Sequence, residues 1–189
     1  MHRTVLSLVL VSLLALPVRA QNGEAPLGTL LPDLTVTYMQ GGATTLHALA
    51  GTRGTVLIFW SNACSWIEQY EARVMNAANS ATGVNVVLIN ANDTVAFPQE
   101  ARPGKRYSVP YVRDAGAQVA RTLGAVRTPH VFAFDAGRKL VYAGGIDDAP
   151  ADPAAVQVTW LMDTVAQLSS GASVTPQSTR AFGCRIKLP

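Results

Sequence analysis

The chain has 189 residues, with 15 Lys and Arg against 12 Asp and Glu, and only two cysteines. No basic run is interleaved with aromatics, which removes the usual footprint of a nucleic-acid binder. His47 and His130 stand at no ligand-like spacing from either cysteine, so no metal site is expected.

Residues 1–20 read as a leader. Arg3 supplies positive charge, residues 5–16 are almost wholly apolar, and Val18-Arg19-Ala20 has the small-x-small form of a cleavage site. The apolar run is short for a membrane span. The reading is a signal peptide, with Gln21 as the new N-terminus. It predicts an exported protein, periplasmic or secreted, with no membrane attachment after cleavage. Removing Arg3 and Arg19 leaves 13 Lys and Arg against 12 Asp and Glu, a formal charge of about +1 that points to no charged partner. The remaining stretch of about 169 residues suits one domain and builds a core without disulfide help.

Residues 34–38 alternate apolar and Thr, as a strand does, and Gln40-Gly41-Gly42 turns the chain toward a returning strand at 44–46. TVLIFW, 55–60, is a continuous branched and aromatic run, the pattern of a strand buried on both faces. Beyond Cys64 the period changes. Ile67, Tyr70, Val74 and Ala78 recur at helical spacing, with Gly83 as the stop. VNVVLI, 84–89, is a second buried strand. Residues 90–110 read as loop, because Pro98, Pro103, Gly104 and Pro110 exclude a long helix. A short helix is predicted at 115–123, strands at 130–134 and 139–143 around a turn at 135–138, and a helix at 154–168. The βαβ opening implies parallel strands, and the later hairpin adds antiparallel ones. The fold class is α/β with a mixed central sheet flanked by helices. The organisation is a signal peptide at 1–20, one domain at 21–170 and a tail at 171–189 carrying Cys184.

Cys64 follows a buried strand and meets the first turn of a helix. Unpaired N–H groups and the helix dipole there favour thiolate over thiol, and so lower its pKa below the free value of about 8.5. Ser61, Asn62 and Ser65 make its surroundings polar, consistent with a mouth open to solvent. The other reading is a small buried hydrophobe. Arg127-Thr128-Pro129 precedes the third buried strand, where Pro129 begins the strand or makes a bend, trans or cis. Trp60 and Trp66 flank the cysteine, as groove or as core. His130 reads best as a core histidine, Asp147 and Asp148 as loop residues, and Glu68 and Glu71 as a solvated face.

This order resembles the thioredoxin fold, and it implies a three-layer sandwich. The spacing Gly28…Pro32-Asp33-Leu34…Gly42…Leu46…Leu49…Gly51 before VLIFW resembles the redoxin branch, the alkyl hydroperoxide reductase/thiol-specific antioxidant family. A peroxiredoxin-like subgroup is a closer match. It shares Asn62, Cys64, Tyr70, Glu71 and Arg73, the I-N-x-N-D stretch at 89–93, A-V-x-T-P at 125–129, F-D-x-x-R-K-L-V-Y at 134–142, G-x-I-D-D at 144–148 and G-C-x-I-K at 183–187.

The resemblance implies a thiol redox protein with Cys64 at the active position and a cis Thr128-Pro129 packed beside it. No cofactor is called for. The partners would be a protein thiol or disulfide, or a small peroxide, with an external thiol as reductant. Departures from the family narrow this. Ala63-Cys64-Ser65 replaces the common His-Cys-Pro, and Ile67 stands where a thioredoxin has its second cysteine, so a local dithiol is excluded. Leu57 replaces the proline found seven residues before a peroxidatic cysteine, although Ser61 keeps the hydroxyl three residues before it. Arg127 lies near, but out of register with, the peroxiredoxin arginine. Cys184 has three readings: a resolving thiol for oxidised Cys64, one end of a permanent structural bridge in a non-catalytic thioredoxin-fold binding module, or a cysteine that is free or paired between chains.

Overall fold

The computed structural model describes residues 23–102 and 105–189. The expected signal peptide lies outside the described residues.

The two VIL-rich runs become β3 (Gly54–Phe59) and β4 (Val84–Asn90), parallel neighbours in register from Gly54↔Val84 to Phe59↔Ile89. Alternate side chains leave each strand on opposite faces. Val56, Ile58, Val86 and Leu88 enter one core; Leu57, Phe59, Val87 and Ile89 enter the other. A strand that feeds two cores has no face for polar residues, which is why these runs are continuous rather than alternating. β7 (His130–Asp135) pairs antiparallel with β3 on its other side, and β8 (Leu140–Gly144) returns beside it.

On the opposite flank, β1 (Thr35–Tyr38) and β2 (Ala43–Thr45) form a hairpin. A short strand that sequence reading missed, β5 (Tyr111–Arg113), joins this hairpin to β4. The seven strands lie in the order β2-β1-β5-β4-β3-β7-β8.

Helix α1 (Trp66–Ser80) buries Ile67, Tyr70, Val74 and Ala77, so the apolar line ends on Ala77 rather than Ala78. With α3 (Trp160–Ser170), which buries Leu161, Val165 and Leu168, it covers one face of the sheet. The shorter α2 (Gln118–Leu123) covers the other. This is the three-layer sandwich. At roughly 1.5–3 kcal/mol for each fully buried large apolar side chain, the two cores are the main source of its stability.

Two expected elements differ. The helix predicted at 154–168 starts only at Trp160, after a 3-10 turn at Pro153–Ala155. Asp148 accepts the N–H groups of Gln157 and Val158, which holds that β-branched stretch out of helix. The helix predicted at 115–123 is a 3-10 turn at Ala115–Ala117 followed by α2, while the parallel crossover from β4 to β5 is loop, as expected, with only a 3-10 turn at Pro98–Ala101. The tail does not hang free. Residues Cys184–Arg185 form β9, antiparallel to β6 (Arg127–Thr128), with Thr128↔Cys184 in register.

Candidate active site

β3 delivers the chain to the sheet edge, and residues 60–65 turn it into α1. Cys64 lies just before the Ser65 N-cap, and its carbonyl accepts the Ile67 N–H at 3.0 Å. Its Sγ is bonded to Cys184 Sγ, with a Cα–Cα distance of 5.9 Å across 120 residues of chain. The same sulfur lies 3.2 Å from the Thr128 carbonyl oxygen. Thr128-Pro129 is cis, as the resemblance implied. Cys64 is only 6% exposed, so the expected open mouth is closed by the tail, whereas Cys184 is half-buried.

The loop before Cys64 is fixed by a residue that sequence reading did not single out. Glu100, 3% exposed, sits in the 3-10 turn of the β4–β5 crossover. Its carboxylate accepts the Ser61 hydroxyl at 2.6 Å, the Asn62 N–H at 2.7 Å and the Asn90 amide at 2.9 Å. Tyr111 donates to Asn62 Oδ1 at 3.0 Å, and burial pushes its phenol well above the ordinary range. Ser61 also accepts the Ala63 N–H. Its hydroxyl is therefore committed to the loop.

The I-N-x-N-D stretch links this hub to the tail. Asn90 Oδ1 accepts both the N–H and the amide of Asn92, and Asn92 Oδ1 accepts the Lys187 N–H at 2.8 Å. Two motifs far apart in sequence thus meet through backbone and side-chain hydrogen bonds at Lys187.

The tail is held mainly by its backbone. Ile186 N–H donates to Val126 and Asp93 N–H to Lys187; Ala143 N–H donates to Gln177, and its carbonyl accepts the Thr179 N–H. Arg127 donates to the Gly183 carbonyl at 3.0 Å, so it supports the tail rather than the sulfur. Gly183 has φ +153°, and a Cβ there would lie 2.2 Å from the Thr128 carbonyl oxygen, so only glycine allows this approach to the bend. Tyr142 donates to Gly145 and shares a hydrogen bond with Thr179; burial raises its pKa also.

The other expected residues sort as follows. Ser65 occupies the N-cap with no side-chain cap bond. Trp66 packs edge-on to Phe182, with ring centroids 4.7 Å apart, and so clasps the tail over the start of α1. Trp60 is core and donates to Tyr107. The Thr128 hydroxyl is buried without a hydrogen-bond partner. His130 is fully buried, with Nε2 at 3.1 Å from Glu24. Asp147 and Asp148 do not converge. Asp147 pairs with Arg73 at 2.5 Å, while burial pushes its carboxyl up. Glu71 pairs with Lys105.

No curated protein matches the sequence. Among solved structures, a hypothetical protein from Sinorhizobium meliloti 1021 is 34% identical, with a TM-score of 0.78, over 87% of this chain and 96% of that one. An uncharacterized conserved protein from Geobacillus kaustophilus is 28% identical, with a TM-score of 0.79, over 87% and 93%. The thioredoxin domain of a thiol-disulfide oxidoreductase from Bacteroides vulgatus shares the fold at 18% identity and a TM-score of 0.53, over 77% and 99%. The AhpC/TSA family matches residues 27–143, a span that contains Cys64 and the Thr128-Pro129 bend and stops short of the tail. With this thioredoxin-like fold and a cysteine pair bonded beside the bend, the chain belongs to the AhpC/TSA family.

Proposed function

We propose that the protein is an exported thiol–disulfide oxidoreductase of the redoxin type, with Cys64 as nucleophile and Cys184 as its resolving partner. The observation that carries this is the placement of both sulfurs against the Thr128-Pro129 bend at the N-terminal end of α1.

The chemistry balances as two exchanges. In the reduced protein the Cys64 thiolate, favoured by the end of α1, attacks a substrate disulfide. The substrate S–S bond breaks, a mixed disulfide forms at Cys64, and one substrate sulfur leaves as a thiolate. The Cys184 thiolate then attacks the Cys64 sulfur, forms the Cys64–Cys184 bond and releases the second substrate thiolate. The substrate disulfide is reduced to a dithiol, the protein pair is oxidised, and the two protons lost by Cys64 and Cys184 pass to the substrate thiolates; with a substrate dithiol the same steps run in reverse. The Thr128 carbonyl accepts the Cys64 S–H in the reduced form, which counteracts the helix terminus.

Peroxide reduction is the less supported enzyme reading, because Ser61 serves Glu100 and Arg127 serves Gly183. A permanent structural bridge is the second reading. The burial of Cys64 and the many anchors of the tail favour it. Closing 120 residues of chain contributes about 5 kcal/mol in the chain-entropy model.

Equilibration of the protein with glutathione or dithiothreitol buffers separates the two. The oxidoreductase reading expects a midpoint above about −270 mV; a value below about −300 mV makes the bridge structural and removes the proposed cycle. Export is checked by cell fractionation and by N-terminal sequencing, with Gln21 expected first. Among the described residues no helix is long and apolar enough to cross a membrane.

A further inference from the structure

A cleft of about 940 Å³ opens between the β6–β7 bend and the tail. Its charged lining is Glu24, Arg127, His130, Arg180 and Arg185, three guanidinium groups against one carboxylate. Among the described residues no carboxylate lies within ion-pair distance of Arg127, Arg180 or Arg185. Glu24 instead faces His130, which is fully buried. Their contact of 3.1 Å lacks hydrogen-bond alignment, so His130 Nε2 is left without a hydrogen-bond partner in the wall of the cleft. Val126 N–H points at His130 Nδ1 at 3.5 Å.

Arg127 is half-buried and Arg180 and Arg185 are exposed, so the lining carries three positive charges against one negative and favours an anion. Planar guanidinium forks match the oxygens of a carboxylate or phosphate. The cleft also has an apolar part. Val126 and Leu188 are 47% and 43% exposed, and both lie in its lining. The volume is that of a small-molecule site.

We infer that this cleft binds a small organic anion, with its carboxylate or phosphate on Arg127, Arg180 and Arg185 and its apolar body against Val126 and Leu188. Arg127 belongs to β6, whereas Arg180, Arg185 and Leu188 belong to the tail. The ligand therefore joins the tail to the body on β6 and β9, the two strands that carry Thr128 and Cys184. The site goes beyond the proposed redox cycle and stands whether or not the disulfide turns over.

Isothermal calorimetry on the full oxidised chain, at fixed ionic strength, tests this with phenylphosphate, benzoate and inorganic phosphate as probes. One phenylphosphate or benzoate per chain is expected, and the tighter of the two identifies the headgroup. The better aromatic probe should exceed inorganic phosphate by about tenfold, for the apolar contact. Arg180→Ala and Arg185→Ala should each weaken it by about tenfold, and Arg106→Ala, outside the cleft, should leave it unchanged. Thiol counting and circular dichroism establish that each variant keeps its bridge and fold. Absence of saturable binding, equal affinity for inorganic phosphate, or an equal loss in Arg106→Ala would overturn the assignment.

Discussion

The two bonded cysteines are held in opposite ways. Cys64 sits on a loop fixed by side chains that converge on one buried carboxylate, Glu100. Cys184 sits on a strand fixed by backbone pairing that is spread along the tail. A side-chain hub concentrates its strength in a single residue, whereas a backbone ladder tolerates most substitutions. Glycine at position 183 is the exception.

Alkaline pH should break both supports at once, with the largest effect. Tyr111 braces the Cys64 loop and Tyr142 braces the tail, and burial raises both above the ordinary value near 10. A group whose pKa is raised on folding contributes its full stability below the unfolded value, and loses it as pH rises toward the folded one. Stability should hold to about pH 10 and then fall. Tyrosinate absorbance should appear together with loss of circular dichroism; ionisation of all tyrosines near 10 with the fold intact would contradict this.

Glu100→Ala comes next. It leaves the Ser61 hydroxyl and the Asn62 N–H without an acceptor and takes one of three acceptors from the Asn90 amide, at a cost of about 3 kcal/mol in urea unfolding. Its bridge should also be reduced faster by dithiothreitol. Gly183→Ala forces a Cβ against the Thr128 carbonyl and should cost about 2 kcal/mol. Its signature is local: faster amide exchange at 184–186, with the Ser61 loop undisturbed. Phe182→Ala removes the edge contact to Trp66 on a half-exposed ring and should cost under about 1 kcal/mol. If Phe182→Ala proved as costly as Glu100→Ala, the contrast between hub and ladder would fail.

The parts legible in sequence were those with a repeating signal. β3 and β4 declare themselves because every side chain enters one of two cores, and α1 does so through Ile67, Tyr70 and Val74. β5 is three residues long, too short to show a period. Glu100 gave no signal, since a lone acid in a Pro-containing loop reads as solvated. Only its donors, Ser61, Asn62 and Asn90, hinted that polar groups near the strand ends needed an acceptor. The tail reads as polar because Cys184 and Arg185 pair through their backbone, which leaves little mark on composition.

The separation of the paired sulfurs has a consequence for biosynthesis. Cys184 leaves the ribosome after every strand of the main sheet, so Cys64 must wait as a lone thiol while 120 further residues are made. Throughout that interval its one intramolecular mate does not yet exist. Any disulfide formed earlier would have to join it to another molecule, so a host lacking a thiol-isomerising catalyst should accumulate covalently linked dimers.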